Sequence, residues 1–407
     1  MNTSTYVPGT VQSTWRVAWP FWISLAIFLA ATVIDSGRSH SRVLGQSPGS
    51  LATVLMILCG LANVQGKTFG AAAGATLLIL ALVAVQVLFQ GESVTAAYSL
   101  VGSMAVAWVV ALQRADSAFV FNLMKTCLVL FGFLAVSFYL GMWRHEEGVM
   151  SFPQMNRNIV ALELVFGATL TMTLGRQGQL GKFLERAWPI AVVLFVVPIV
   201  FTASRKGIVA VIALPAVYFS LVKREMRAMR FVAAIAILGL VVFGGVYEYA
   251  AGSAGPLDHV ISRFEAGDSL RTNFARLGLD LVLAEPLLGY GITAPHDPVW
   301  MAGRGFVDDF TGVPVAAHNG LLVYALMGGI PLLALYLIFL GSTMFKLASM
   351  PSSLPAHRET CAGAIVLMLV VLITLVGGGN AEFWKLGWLI IGMAMLVLDV
   401  VKREAQV

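Results

Sequence analysis

The side chains best suited to acid–base and phosphate chemistry are concentrated in one polar interval, from about Ala250 to Asn319. This interval holds four arginines, eight carboxylates and the histidines His259, His296 and His318. Guanidinium groups bind phosphate oxygens with paired donors, and histidine accepts protons near neutral pH. The rest of the sequence is predicted to be a scaffold that holds this interval against a membrane surface.

His318 stands where the interval returns to apolar sequence, followed by Asn319 and a stretch that predicts an uninterrupted apolar helix. A histidine at a helix start on a cavity rim is a candidate general base. The alternative is a hydrogen-bonded histidine at the membrane interface. His40, His145 and His357 have no companions in the sequence and are predicted to be solvated.

A metal site is an alternative use of the interval. His296 adjoins Asp297, and Asp308 and Asp309 follow, but their spacing matches no known ligand set. No pair of carboxylates has a spacing that selects it for glycoside hydrolysis. The sequence carries no Ser/His/Asp signature, phosphate-binding glycine loop or Cys/His metal pattern.

A second charged feature is the turn Thr202–Gly207, which contains Ser204, Arg205 and Lys206. Only 18 residues separate Arg186 from Arg205, and only 17 separate Arg205 from Lys223, so both flanking apolar segments are short for membrane spans. The turn is therefore predicted at or just below the membrane interface. A charge there is costly unless it lines a cavity or contacts an anion. The alternative is a turn whose long basic side chains extend along the apolar surface and keep their charged ends in water.

The composition predicts an all-α polytopic membrane protein. Of 407 residues, 58% are hydrophobic and 12% are charged, with mean hydropathy +0.85, whereas soluble proteins carry about 25% charged residues. The net charge of +5 is explained by the Lys/Arg bias of cytoplasmic loops, so no nucleic-acid partner is expected. Cys59, Cys127 and Cys361 lie in apolar runs and predict neither disulfides nor a metal framework.

Twelve membrane spans are predicted from the apolar segments. Residues 1–249 hold nine of them, 250–317 form a large periplasmic loop with short helices, and 318–407 hold the last three. The bias of basic residues places both termini in the cytoplasm, with the first span retained. The predicted centres are Ile27, Met56, Ile79, Val106, Phe131, Val165, Val196, Ile212, Ile237, Leu333, Leu369 and Met393.

Inside the loop, Asp268 or Ser269 is predicted to cap a helix that ends before Pro286. Arg271 falls in its first turn, away from the apolar stripe, where a solvated surface arginine is the alternative. The stretch from Pro295 to Pro314 is predicted to be a loop or lid. Glu163 lies inside a span and is expected to face the bundle interior. The predicted apolar stripe consists of Leu270, Phe274, Leu277, Leu281 and Ala284.

Three stretches in this order resemble the O-antigen ligase superfamily, which comprises lipopolysaccharide O-antigen ligases, O-antigen polymerases and bacterial O-linked protein oligosaccharyltransferases. They are Ser204-Arg205-Lys206-Gly207, then Arg271 followed by Pro286-Leu287-Leu288-Gly289-Tyr290-Gly291, and then His318-Asn319. The resemblance runs from about residue 185 to the end and implies a fold similar to GT-C membrane glycosyltransferases. Where family members often have a tryptophan, this chain has Ala275. Arg276 competes for the role of the loop arginine, but the spacing favours Arg271.

The resemblance implies metal- and cofactor-free transfer of a polysaccharide from undecaprenyl pyrophosphate to lipid A–core, with inversion, at the periplasmic face of the bacterial inner membrane. Arg205 and Arg271 are expected to bind the pyrophosphate, with Ser204, Lys206 and Arg276 as further candidates. His318 is the expected general base, supported by Asn319. The absence of extra sequence after Val407 favours the ligase over a protein oligosaccharyltransferase. A polymerase and a lipid-linked oligosaccharide transporter, which would show inverted repeats and broken spans, remain alternatives.

If arginines neutralise the leaving pyrophosphate, transfer will continue in excess EDTA, because no metal ion takes part. The measurement is the transfer rate with lipid-linked glycan and lipid A–core in detergent, with and without chelator. Loss of activity that returns on adding a divalent cation would favour the metal site of His296, Asp297, Asp308 and Asp309.

Overall fold

The computed structural model describes residues 14–36, 48–62, 64, 70–89, 94–146, 149–152, 157–222, 269–307, 314, 319–350, 355–377 and 385–405. Most of them are α-helical, as the long apolar runs predict, and a small antiparallel hairpin lies between the fifth and sixth helices. The helices are α1 Thr14–Ser36, α2 Pro48–Leu61, α3 Ala71–Phe89, α4 Val94–Ala111, α5 Ser117–Tyr139, α6 Arg157–Arg176, α7 Lys182–Phe201, α8 Arg205–Val222, α9 Ser269–Ala284, α10 Pro298–Gly303, α11 Gly320–Ala348, α12 Pro355–Gly377 and α13 Lys385–Glu404. The hairpin strands are β1 Arg144–Glu146 and β2 Val149–Ser151, and a 3-10 turn spans Ala294–His296.

Within the described part of the chain, six helices are long and apolar enough to cross a membrane: α3, α5, α6, α8, α11 and α12. Shorter apolar stretches lie in α1, α2, α4 and α7. Eleven of the twelve predicted span centres fall inside helices, and the other, Ile237, lies outside the described residues. The helical membrane class is thus confirmed, while the count of twelve spans and the compartment of the loop remain predictions.

Helix α6 is the centre of the bundle. Every residue from Val160 to Gly175 is buried, including Glu163, which faces the interior as expected. Small residues allow the close approach that helices in lipid require. Gly175 lies directly against the Trp188 side chain of α7, and Gly167 lies between Phe195 and Phe131. Helix α6 consequently packs against α5, α7, α8 and α12.

A buried ion pair joins three of these helices at one end of the bundle. Arg176 Nη2 lies 3.1 Å from Glu359 Oε1, with side-chain exposures of 9% and 5%. The same guanidinium lies over the Phe219 ring of α8, 5.2 Å from its centroid. The pair therefore fixes the last turn of α6 against the first turns of α12 and the end of α8.

The opposite ends of these helices form a common surface, called here the site face. Helix α6 begins there at Arg157, and α8 begins beside it, because Gly207 packs on Ala161. Helix α12 ends on the same side, where the backbone of Leu375 lies against Gly320 at the start of α11. Three helix starts, those of α6, α8 and α11, therefore share the site face.

The prediction that His357 is solvated and without companions is wrong. Its Nε2 lies 3.4 Å from Glu404 Oε2, and Glu404 also accepts a hydrogen bond of 2.8 Å at Oε1 from Ser117 Oγ. These contacts join residues that are distant in the sequence, so local patterning does not reveal them. His40 lies outside the described residues.

Replacing Glu359 by alanine is expected to lower the free energy of unfolding by about 3–5 kcal/mol, because it leaves Arg176 buried without its carboxylate. Thermal unfolding in detergent measures the effect. The exposed pair of Asp399 and Arg403, 3.0 Å apart, is the matched control, and Asp399→Ala should cost no more than about 1 kcal/mol. Equal losses in the two variants would contradict a special role for the buried pair.

Candidate functional site

The turn between α7 and α8 is a compact hydrogen-bonded structure. Thr202 Oγ1 donates to Ile199 O (2.6 Å), and Ser204 N donates to Thr202 Oγ1 (3.3 Å). Gly207 N then donates to Ser204 Oγ (3.3 Å), which makes Ser204 the N-cap of α8. Arg205 and Lys206 are consequently the first two residues of the helix, at its positive end.

The turn is packed into the protein. Thr202, Ala203 and Ser204 are buried, whereas Arg205 and Lys206 are half-buried. Ala203 has φ 48°, the one positive φ outside glycine among the described residues. A Cβ at Gly207 would lie 2.8 Å from the Ala161 Cβ, so the residue must be small. Because these residues are buried, the turn is part of the packed interior and does not extend into solvent.

Arg157 and Asn158 begin α6 on the same side of the bundle, one turn before Ala161. They lie close in space to the start of α8, although nearly fifty residues separate them in the sequence. Arg157 is not among the candidate site residues predicted from the sequence. Its position just before a long, mostly apolar helix is the signal for a residue at the membrane interface.

Helix α11 is broken, so the prediction of an uninterrupted helix after Asn319 is wrong. Gly328 (φ −138°, ψ 24°) and Gly329 (φ 70°, ψ −173°) leave helical geometry. Pro331 follows two residues later and lacks a backbone donor. The break releases backbone groups in the first third of an otherwise apolar helix.

The loop segment Pro286–Gly291 fills this break. Backbone polar groups inside a membrane protein need partners, and irregular backbone is tolerated only where the protein supplies them. Three backbone hydrogen bonds meet this need: Tyr290 N to Leu326 O (2.7 Å), Gly291 N to Met327 O (3.1 Å) and Ile330 N to Pro286 O (2.8 Å). The motif Pro-Leu-Leu-Gly-Tyr-Gly is thus a docking segment.

Gln86 of α3 joins the docking segment to the broken helix. Its Nε2 donates to Leu288 O (3.0 Å) and to Met327 O (2.6 Å), and the side chain is fully buried. Gln86 is not among the residues predicted from the sequence. A lone glutamine in an apolar span is nevertheless a signal of contact with another helix, because polar side chains in spans usually face the interior and form hydrogen bonds there.

Two glycines with positive φ interlock at this junction. Gly289 has φ 63°, and a Cβ there would lie 2.5 Å from Leu326 O. Gly329 has φ 70°, and a Cβ there would lie 2.5 Å from Pro286 O. Both sites therefore combine left-handed backbone with a close backbone approach, which only glycine accommodates.

Helix α9 is described from Ser269 to Ala284, and it ends before Pro286 as predicted. Asp268 lies outside the described residues, so the predicted cap stays a prediction. It lies alongside the start of α11 and runs in the same direction, because Gly278 packs on Leu322 and Pro286 bonds Ile330. Phe274 and Leu281 are buried as predicted, Leu277 is half-buried, and Ala284 is exposed.

This arrangement separates the two competing arginines. Position 271 lies two turns before Gly278, on the same side of α9 and about 10 Å further along the axis, which is beyond the start of α11. Arg276 is exposed, on a different side of α9 from Gly278. Position 271, rather than 276, is therefore on the side of α9 that packs against α11. The Arg271 side chain lies outside the described residues.

Asn319 is the N-cap of α11, and its Oδ1 accepts hydrogen bonds from Leu321 N (3.0 Å) and Leu322 N (3.2 Å). Its predicted supporting role therefore has a structural basis, since it fixes the first turn of the helix that His318 precedes. His318 itself lies outside the described residues, and its role as a base stays a prediction.

Helix α12 lies between the two halves of the predicted site. It packs against α8, which begins at Arg205, and against α11, which begins after Asn319. Packed helix axes are about 8–10 Å apart, so the axes of α8 and α11 are no more than about two such spacings apart.

The described residues that follow the docking segment, up to 307, pack against α9 and against the docking segment itself. Trp300 packs on Tyr290 with ring centroids 5.1 Å apart, and Phe306 packs on Phe274 at 5.6 Å. Arg304 lies over the Tyr290 ring at 5.4 Å. The first part of the predicted lid is therefore attached to α9 and the docking segment.

In the described part of the chain, no group of three or more His, Cys, Asp or Glu side chains is arranged to hold a metal ion. Asp297 Oδ1 accepts a hydrogen bond of 2.9 Å from Val299 N and caps α10. Asp308 and Asp309 lie outside the described residues, so the alternative metal site remains untested.

Residues 190–337 match the O-antigen ligase family model. The match runs from α7 to the middle of α11 and includes the α7–α8 turn, α9, the docking segment, His318 and Asn319. It confirms the resemblance to the O-antigen ligase superfamily and supports a transferase activity of the ligase and polymerase kind. With the six apolar helices, it also supports a multi-pass membrane protein. No curated protein matches the chain.

Replacing Gly329 or Gly289 by alanine is expected to displace the docking segment from α11, with a large loss of transfer activity and a lower unfolding temperature. Gly141 is the matched control, because it has φ 69° but a Cβ added there would meet nothing within 4 Å. Gly141→Ala should cost only the backbone strain of about 1–2 kcal/mol. Equal effects at all three positions would contradict the interlock.

Proposed function

We propose that this protein is an O-antigen ligase, which transfers a polysaccharide from undecaprenyl pyrophosphate to a sugar hydroxyl of lipid A–core. The observation that carries the proposal is the α7–α8 turn. It presents two cations, Arg205 and Lys206, at a Ser204-capped helix start on the site face, inside the region matched by the family model. Helix starts and guanidinium groups both favour phosphate.

The donor pyrophosphate is assigned to this turn. A lipid-linked pyrophosphate lies at the membrane interface, and a half-buried Arg205 is suited to that environment. Positive charge at the helix start and on Lys206 stabilises the negative charge that grows on the leaving pyrophosphate in the transition state. Arg157, at the neighbouring start of α6, is a further candidate for the same surface.

Arg271 is assigned to the same phosphate group from the loop side. The direction of α9 supports this, because it carries position 271 beyond the start of α11 while the docking segment fixes the other end of the helix. Arg276 stands on another side of α9 and is less suited to the role.

His318 is assigned as the general base. It removes the proton from the acceptor hydroxyl while that oxygen attacks the anomeric carbon, and the bond from this carbon to the pyrophosphate oxygen breaks. The proton ends on His318, and the pyrophosphate leaves with the bonding electron pair. A single displacement with the base opposite the leaving group inverts the anomeric configuration.

A polymerase of the same superfamily would use the same donor site with a lipid-linked glycan as acceptor, and it remains the alternative. A transporter would be expected to use broken helices to bind its cargo or a coupling ion. The break in α11 does not serve this purpose, because Pro286–Gly291 and Gln86 bond the exposed backbone groups. Covalent transfer is therefore preferred over transport.

His318→Ala is expected to reduce transfer about 10²–10⁴-fold, the usual contribution of a general base. Arg205→Lys, which removes the paired donors and keeps the charge, should cost about 10²–10³-fold. The measurement mixes purified protein, lipid-linked O-antigen and rough lipopolysaccharide in detergent. Ligated lipopolysaccharide supports the ligase, a longer lipid-linked chain supports the polymerase, and no covalent product overturns both.

His357→Ala is the matched control, because this histidine pairs with Glu404 at the end of the bundle away from the site face. Like His318→Ala, this variant loses one imidazole, but it should retain activity. A His318→Ala variant that inserts into the membrane and transfers at the wild-type rate would refute the base assignment.

A further inference from the structure

Helix α9 has three sides with different surroundings. One side, with Phe274, Gly278 and Leu281, is buried against α11. A second carries the exposed polar residues Asn273 and Asp280, and Arg276 lies at its border with the third side, seven residues before Leu283. The third carries exposed leucines, and it continues into the docking segment.

This third side is defined here as the apolar flank: Leu279, Leu283 and Leu287. Their exposed fractions are 53%, 63% and 71%, rising toward the end of the helix where it meets the broken helix. A soluble surface rarely shows such a row of large, exposed apolar side chains without a partner. The flank is convex, because the side chains stand out from a helix and turn, so it does not form a groove for one extended chain.

The apolar flank is continuous with a lipid-facing side of α11. Ile330 is 48% exposed, and its N–H donates to Pro286 O, directly beside Leu287. From Ile330 the exposed residues of α11 recur at helical spacing along a helix that is long and apolar enough to span the membrane. This row consists of Ile330, Ala334, Leu337, Ile338, Gly341 and Phe345.

We propose that the apolar flank of α9 is inserted among the acyl chains of the membrane leaflet on the site face. A helix at the interface separates an apolar side from a polar one, and α9 has its polar residues on the side next to the flank. The docking segment brings Leu287, at the end of the flank, to the depth at which the exposed row of α11 begins. Membrane contact therefore extends from the bundle onto the loop.

Membrane contact at the flank would also fix the depth of the site. A helix held both by α11 and by lipid keeps a fixed depth, so position 271 stays just above the interface, where a lipid-linked pyrophosphate lies. The membrane contact itself is independent of the proposed transfer reaction, and its test involves no substrate.

The test uses single spin labels in nanodiscs, after replacement of Cys59, Cys127 and Cys361 by alanine. Labels at Leu279→Cys and Leu283→Cys are compared with labels at Asn273→Cys and Asp280→Cys, which share the helix but lie on its polar side. Collision rates with oxygen report lipid, and those with a water-soluble nickel chelate report solvent. Ile338→Cys on α11 gives the reference for lipid.

Leu279 and Leu283 are expected to match the lipid reference, with an oxygen-to-nickel ratio several-fold above that at Asn273 and Asp280. High nickel accessibility at the flank would place it in water and overturn the proposal. Low accessibility to both reagents would indicate a protein partner, such as a second copy of this chain, and would also overturn it. Because both labelled positions are exposed, either label should leave the fold intact.

Discussion

The break in α11 at Gly328–Gly329 is the constraint on which the described site depends. A helix interrupted in apolar surroundings leaves backbone groups that cost several kcal/mol each when unpaired. The docking segment Pro286–Gly291 bonds them, and Gln86 ties the junction to α3. The broken helix and the loop motif are therefore one structural unit, since each supplies the hydrogen bonds that the other lacks.

This unit positions one half of the proposed site, and the bundle positions the other. Docking fixes the end of α9, and Gly278 against Leu322 fixes its direction, so position 271 follows from contacts made well away from it. Arg205 is placed separately, by the Ser204 cap and by the close packing of Gly207 on α6. Helix α12 separates the two halves and carries the buried Glu359–Arg176 pair at its other end. Ion-pair packing at one end of the bundle thus supports the geometry at the other.

Local features of this structure follow from sequence, and long-range contacts do not. Apolar length located the helices, and Pro286 marked the end of α9 closely. The Gly-Gly-Ile-Pro sequence at 328–331 contained the signal for a break, but high hydropathy on both sides hid it. The Gln86 contact joins residues 202 and 241 positions apart, which no periodicity reports. The pairing of His357 with Glu404 was missed for the same reason. The Ser204-capped turn and the helix start at Asn319 lie on the same side of the bundle, although they are distant in the sequence.

The hydrogen bonding of the docking segment to α11 can be measured by hydrogen–deuterium exchange of the amides of Tyr290, Gly291 and Ile330. These amides donate the three bonds that join the docking segment to α11. Amides released only by the opening of packed structure exchange slowly, whereas amides in a solvated turn exchange at once. The docking interaction predicts that peptides covering 286–292 and 326–332 are protected as strongly as the buried core of α6, and that Gln86→Leu raises exchange in both together. Rapid exchange at 286–292 in the unaltered protein would contradict it.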